Sequence, residues 1–215
     1  MDIEQAREHM ISQQIRSWDV TEPRILECLT QVPREHYVPD EYAALAFMDT
    51  EVSLGHGQHM LKPVVEGRIL QSLSPEPDNR ALVIGTGSGF ITACVALMSD
   101  HVTTVEIIPE LHQRAGERLT DAKVHNVDAQ LLDFNELQPT LGFDRILVTG
   151  SMPTLDPRLA DWLNPNGMCI AIIGETPTMS VERIQRLDEQ YTRERLFETI
   201  VTPLKNVTSD DTFEF

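Results

Sequence analysis

The stretch Ala81–Phe90, ALVIGTGSGF, joins a short apolar run to three glycines spaced two apart. An apolar run bounded by glycine predicts a strand buried on both faces. Glycines at 85, 87 and 89 permit a sharp turn into a following helix and let the backbone approach a ligand that any Cβ would block. The helix N-terminus adds unpaired N–H groups and the positive end of a dipole. A second apolar run ends at Glu106, 21 residues beyond Gly85. A carboxylate there can accept from vicinal ribose hydroxyls and would repel a 2′-phosphate. The glycine spacing is G-x-G-x-G, not the G-x-G-x-x-G of dinucleotide folds, and no Gly-Lys-Ser/Thr of a P-loop follows. A ribose-binding acid beside a glycine turn without pyrophosphate spacing points to S-adenosylmethionine rather than NAD(P).

Around this unit, strand candidates (Ala81–Ile84, Val102–Val105, Ala129–Leu132, Arg145–Thr149, Met168–Ile173) alternate with helix candidates (Phe90–Met98, Pro109–Ala122, Asp156–Leu163). That alternation predicts an α/β fold with a parallel sheet covered by helices on both faces. Upstream, Ile3, Ala6, Met10 and Ile15 recur at roughly helical spacing, and Pro23 and Pro63 suit the first turns of two further helices. SLGHGQHMLKP, ahead of Pro63, is expected to be a polar, glycine-containing loop. VERIQRLD and YTRERLFETIVTPL alternate apolar and polar residues, which suits an antiparallel hairpin on the sheet edge.

Composition narrows the partners. With 17 basic against 34 acidic residues and a formal charge of −17, phosphate-backbone binding is not expected, because it needs clustered Lys and Arg. Cys28, Cys94 and Cys169 are far apart and form no C-x-x-C, so they read as core thiols rather than a disulfide framework or metal site. Met10, Met48, Met98 and Met168 likewise read as core. In H-G-Q-H the glycine works against the helical geometry that would aim His56 and His59 at one metal, so no metal site is expected. No window approaches the ~18 apolar residues of a membrane helix, and a cytoplasmic monomer is the expectation. One domain suffices for 215 residues: 1–75 as N-terminal helices and substrate loop, 80–175 as the cofactor-binding core, and 176–215 as hairpin and tail. The final SDDTFEF is expected to be a solvated end whose Phe213 and Phe215 could reach the substrate face.

A third feature is LLDFNEL. Asp133 follows the apolar run Ala129–Leu132 and could accept from an adenine amino group while Phe134 packs on the ring. An Asp after a strand is also a common turn former.

In order and approximate spacing, VPREHYVPDEY, GHGQ followed by Pro63, IGTGSGF, TVEIIPEL, FDRILVT, LNPNGM and VTPL resemble the protein-L-isoaspartate O-methyltransferases. The resemblance spans nearly the whole chain. It implies a Rossmann-like class I methyltransferase fold: a mostly parallel seven-stranded sheet, an antiparallel C-terminal hairpin and added N-terminal helices. It also implies S-adenosylmethionine as cofactor, S-adenosylhomocysteine as product, and methylation of isoaspartyl residues in damaged proteins. Cofactor contacts carry over to Gly85, Thr86, Gly87, Ser88, Gly89, Glu106, Ile107, Asp133 and Phe134. The substrate-loop positions are Gln58, His59 and Leu61. Here the family's usual G-Q-T-I-S-x-P reads GQHMLKP, so His59 stands for threonine and Leu61 for the serine beside the methyl acceptor. Val83 stands where an acid is common, and LLDFNE replaces G-D-G. His59 and Lys62 would bring a titratable group and a cation near the acceptor. Leu61 leaves open a different carboxylate or small-molecule acceptor, or a cofactor-binding protein without catalysis.

Overall fold

The computed structural model describes residues 2–188 and 190–207. Ser209–Phe215, and with them the expectation for Phe213 and Phe215, lie outside the described residues.

The N-terminal third is helical. Helix α1 (Ile3–His9), capped by Asp2, runs on through a π-helical segment, Met10–Ile15, that buries Met10, Ile11 and Ile15. Ile3 itself is exposed. Helix α2 (Pro23–Gln31) begins with its proline in the first turn and buries Ile25, Cys28 and Leu29, an i, i+3, i+4 stripe. The expected loop before Pro63 is instead a hairpin, β1 (Val52–Gly55) against β2 (Gln58–Met60). Gly55, His56 and Gly57 all take positive φ and close the turn, while Val52, Leu54 and Met60 turn inward. Strands this short hold too few alternations for period-2 patterning to stand out. Helix α3 (Pro63–Leu73) follows and ends at Ser74 in the left-handed region.

The seven-stranded sheet holds β3 (Arg80–Ile84), β4 (His101–Glu106), β5 (Val127–Leu131), β6 (Phe143–Met152), β7 (Leu163–Glu175), β8 (Thr178–Leu187) and β9 (Gln190–Glu198), in the order β5-β4-β3-β6-β7-β8-β9. The first five strands are parallel, and β8 and β9 form the antiparallel edge hairpin. The order reverses at β3, so its C-terminal end is a switch point where a crevice opens. Alternation divides the core: Ala81 and Val83 face the cluster beneath α2, α3, α4 (Phe90–Leu97) and α5 (Pro109–Asp121), while Leu82 and Ile84 face the other side. That second face is lightly covered. The helix expected over Asp156–Leu163 is only α6 (Pro157–Asp161), joined by the turn Phe134–Glu136 and by Leu204 and Val207. Leu163 opens β7 instead of closing the helix.

All three cysteines are buried and free. Met10 is core, Met98 and Met168 are half-buried, and Met48 is exposed on a surface turn, contrary to its apolar context. Tyr37 is fully buried, its ring edge-on to Phe90 with centroids 5.6 Å apart. Burial pushes its phenol from 10.0 up to about 12. Because the folded pKa lies above the unfolded one, this stabilisation is complete below pH 10 and is lost as pH rises toward 12. Denaturant unfolding across that pH range should therefore show Tyr37→Phe losing less stability than wild type; identical slopes would contradict the assignment.

Candidate active site

At the end of β3, Gly85 has φ 88°, Gly87 54° and Gly89 89°. A Cβ on Gly85 would stand 2.4 Å from Thr149 Oγ1. That hydroxyl comes from β6 and donates to the carbonyls of Ile84 and Gly85, at 3.1 and 2.7 Å. Thr86 Oγ1 meets Thr104 Oγ1 at 2.7 Å, and Ser88 Oγ accepts from the Phe90 amide at the start of α4. The loop is thus held from both sides by neighbouring strands, with backbone and no side chain toward the crevice at the glycines.

Glu106 braces the same loop. Its Oε2 accepts from the Gly87 amide at 2.9 Å and its Oε1 from the Ile108 amide at 3.0 Å. Each carboxylate oxygen retains a further lone pair, so Glu106 can still receive a ribose hydroxyl. Asp133 is engaged in the same way. Its Oδ1 accepts from the Asn135 amide and its Oδ2 from Asn206 Nδ2, both at 2.8 Å. The turn-former role left open in the sequence is therefore present, alongside a position on the cleft wall. Phe134 is also on that wall, but its ring packs edge-on against Trp162 and lies 4.6 Å beneath the Arg158 guanidinium.

One cleft collects these groups. Thr86, Gly87, Ser88, Glu106, Ile107, Asp133 and Phe134 line it together with Gln58, His59 and Leu61 of the hairpin. Gly85 lines it too, whereas Gly89 sits just behind, opening α4 against Ala115. Val83 is buried in the sheet, under the helices. His59 is exposed, and its Nδ1 pairs with Thr202 Oγ1 at 2.9 Å. Lys62 lies elsewhere: it lines a neighbouring groove with Trp18 and Arg68, so it does not join His59 at the cleft. Among the described residues no cluster of His, Cys, Asp or Glu could hold a metal ion.

Several lining residues escaped the sequence reading. Thr202, Leu204 and Lys205 reach the cleft because the segment after β9 folds back beside β6, with the Leu204 amide donating to the Ser151 carbonyl at 2.9 Å. Beneath the hairpin, Arg34 is buried. Its Nε donates to Glu66 Oε2 at 2.8 Å, its Nη1 to the Ala46 carbonyl at 2.6 Å and its Nη2 to the Leu61 carbonyl at 2.7 Å. VTPL and VPREHY were visible as motifs, but nothing local marks which of their residues turns inward.

The sequence profile of the protein-L-isoaspartate(D-aspartate) O-methyltransferases matches residues 5–208. The chain belongs to this family. A relative named protein-L-isoaspartate O-methyltransferase from Bradyrhizobium sp. (strain ORS 278) is 34% identical over 193 residues, covering 88% of this chain and 89% of its own. One of the same name from Methanospirillum hungatei is 31% identical over 202 residues, covering 92% of each. The structure of a Plasmodium falciparum protein-L-isoaspartate O-methyltransferase in complex with S-adenosyl-L-homocysteine superposes with a TM-score of 0.82. It covers 93% of this chain and 98% of that one, at 23% identity. That likeness establishes the class I methyltransferase fold. Within it, the positive-φ glycine turn, Glu106 and the open N-terminus of α4 fit the polar groups of S-adenosylmethionine.

Proposed function

We propose that this chain is an S-adenosylmethionine-dependent carboxyl methyltransferase acting on isoaspartyl residues in proteins. The observation that carries the proposal is the meeting of the glycine turn, Glu106 and the substrate hairpin at one cleft, in a chain of this family. S-adenosylmethionine, when bound, supplies an electrophilic methyl group on a positively charged sulfur. A carboxylate acceptor is already ionised at neutral pH, so the chain needs no general base. Its residues instead orient and enclose. Glu106 and the loop amides hold the ribose side, while Leu54, Met60, Leu61 and Ile91 form an apolar wall that excludes water. The His59–Thr202 pair joins the hairpin to the C-terminal segment. Gln58 and His59 are the polar hairpin side chains available to the acceptor.

Leu61 favours a second reading, a different carboxylate acceptor. Its side chain is buried on the cleft wall and offers no donor, where a serine would offer one. Transfer of labelled methyl to an isoaspartyl peptide, with its normal aspartyl twin as control, separates the two. Selective transfer supports isoaspartyl methylation. No transfer by protein that binds S-adenosylhomocysteine moves the assignment to another acceptor.

The double variant Leu61→Ser/His59→Thr sharpens this. A hydrogen bond to a charged acceptor contributes about 1.5–3 kcal/mol, so isoaspartyl methylation should rise roughly ten- to a hundredfold. Stability should fall, by about 2–5 kcal/mol, because a buried leucine is removed. An unchanged rate in folded, cofactor-binding variant would show that backbone groups alone hold the acceptor.

A further inference from the structure

Four carboxylates line the cleft: Glu51, Glu66, Glu106 and Asp133. Glu106 and Asp133 have both oxygens engaged, and Glu51 is half-buried, within reach of water. Glu66 differs. Its side chain is 1% exposed, Oε2 accepts from Arg34, and Oε1 has no hydrogen-bond partner among the described residues. A buried carboxylate oxygen without a donor is costly and calls for a ligand. Arg34 reaches only Oε2, through Nε, while its Nη1 and Nη2 are turned to the Ala46 and Leu61 carbonyls.

The position of Glu66 says which ligand. It stands in the first turn of α3, which packs over β6, β7 and β8. Glu106 closes β4 and Asp133 follows β5, on the other side of β3. The glycine turn lies between these two ends. S-adenosylmethionine is itself a rod with its adenine and ribose at one end and its methionyl group at the other. The adenosine end needs acceptors for a diol and an amine, which Glu106 and Asp133 can provide. The methionyl end carries an α-ammonium, a cationic donor that matches an unpartnered carboxylate oxygen.

We propose that Glu66 Oε1 receives the α-ammonium of the cofactor's methionyl group. This rests on the cofactor reading above. Burial pushes the Glu66 carboxyl above its usual range despite the pull of Arg34, and a second cation at Oε1 favours the ionised form.

Calorimetric titration of S-adenosylhomocysteine and of its deamino analogue, each into wild type and Glu66→Gln, tests the assignment as a double-mutant cycle. Wild type should prefer the amino form by about ten- to a hundredfold. Glu66→Gln should lose that preference while binding the deamino analogue as wild type does. A preference that survives the substitution overturns the assignment, and so does equal weakening of both ligands, which marks a structural role. Wild type that binds both ligands equally overturns it without recourse to the variant. Wild type that binds neither overturns the cofactor reading, and this inference with it.

Discussion

Gly85→Ala should lower the melting temperature by roughly 6–20 °C and methyl transfer by about a hundredfold or more. Gly85 sits at φ 88°, where an L side chain is strained by about 1–3 kcal/mol. The new Cβ would also meet Thr149 Oγ1 at 2.4 Å, displacing a hydroxyl that bonds two loop carbonyls. The one hydroxyl proton, shared between those carbonyls, contributes about 1 kcal/mol. The displaced loop is the one that Glu106 braces, so binding of S-adenosylhomocysteine falls with stability. Gly116→Ala is the matched control: a Cβ there meets nothing within 4 Å, in the middle of α5. Helix propensity should make it stabilising by about 0.5–1 kcal/mol. Equal melting temperatures for the two variants would refute the clash and strain assigned to Gly85.

Arg34→Met should cost about 3–5 kcal/mol, because it leaves Glu66 buried with no cation and leaves the Ala46 and Leu61 carbonyls without a donor. The hairpin should suffer first. The Leu61 carbonyl, just past β2, is anchored by that guanidinium, so the cleft wall loosens and methyl transfer falls further than stability alone explains. Urea unfolding measures the first effect and the rate at a temperature where the variant is fully folded measures the second. Adding Glu66→Leu should restore much of the stability by removing the unpaired charge, but not the rate. Recovery of both would mean that the ion pair does no more than pack.

Much of the fold was legible because it repeats a local rule. Apolar runs bounded by glycine or proline marked β3, β4, β6 and β7, and the prolines at 23, 63 and 109 stand in the first turns of α2, α3 and α5. The hairpin β1–β2 was not legible, since its strands bury only Val52, Leu54 and Met60 and its turn needs a histidine at positive φ. Met48 misled for the opposite reason: its neighbours are apolar, yet a surface turn exposes it.

The sequence by itself determined the parallel sheet, the glycine turn after β3 and the acid at the end of β4. The turn and the acid depend on residues within a few positions of one another, and the sheet on the alternation of strand and helix periods along the chain, so local pattern suffices to state them. Only the tertiary structure decided that Lys62 leaves the cleft while Thr202 and Leu204 enter it. It alone joined Arg34 to Glu66, 32 residues later, in a site that burial makes costly unless both charges are present. Contacts of that kind are made by whole layers packing together, and no local pattern encodes which side chain will face which.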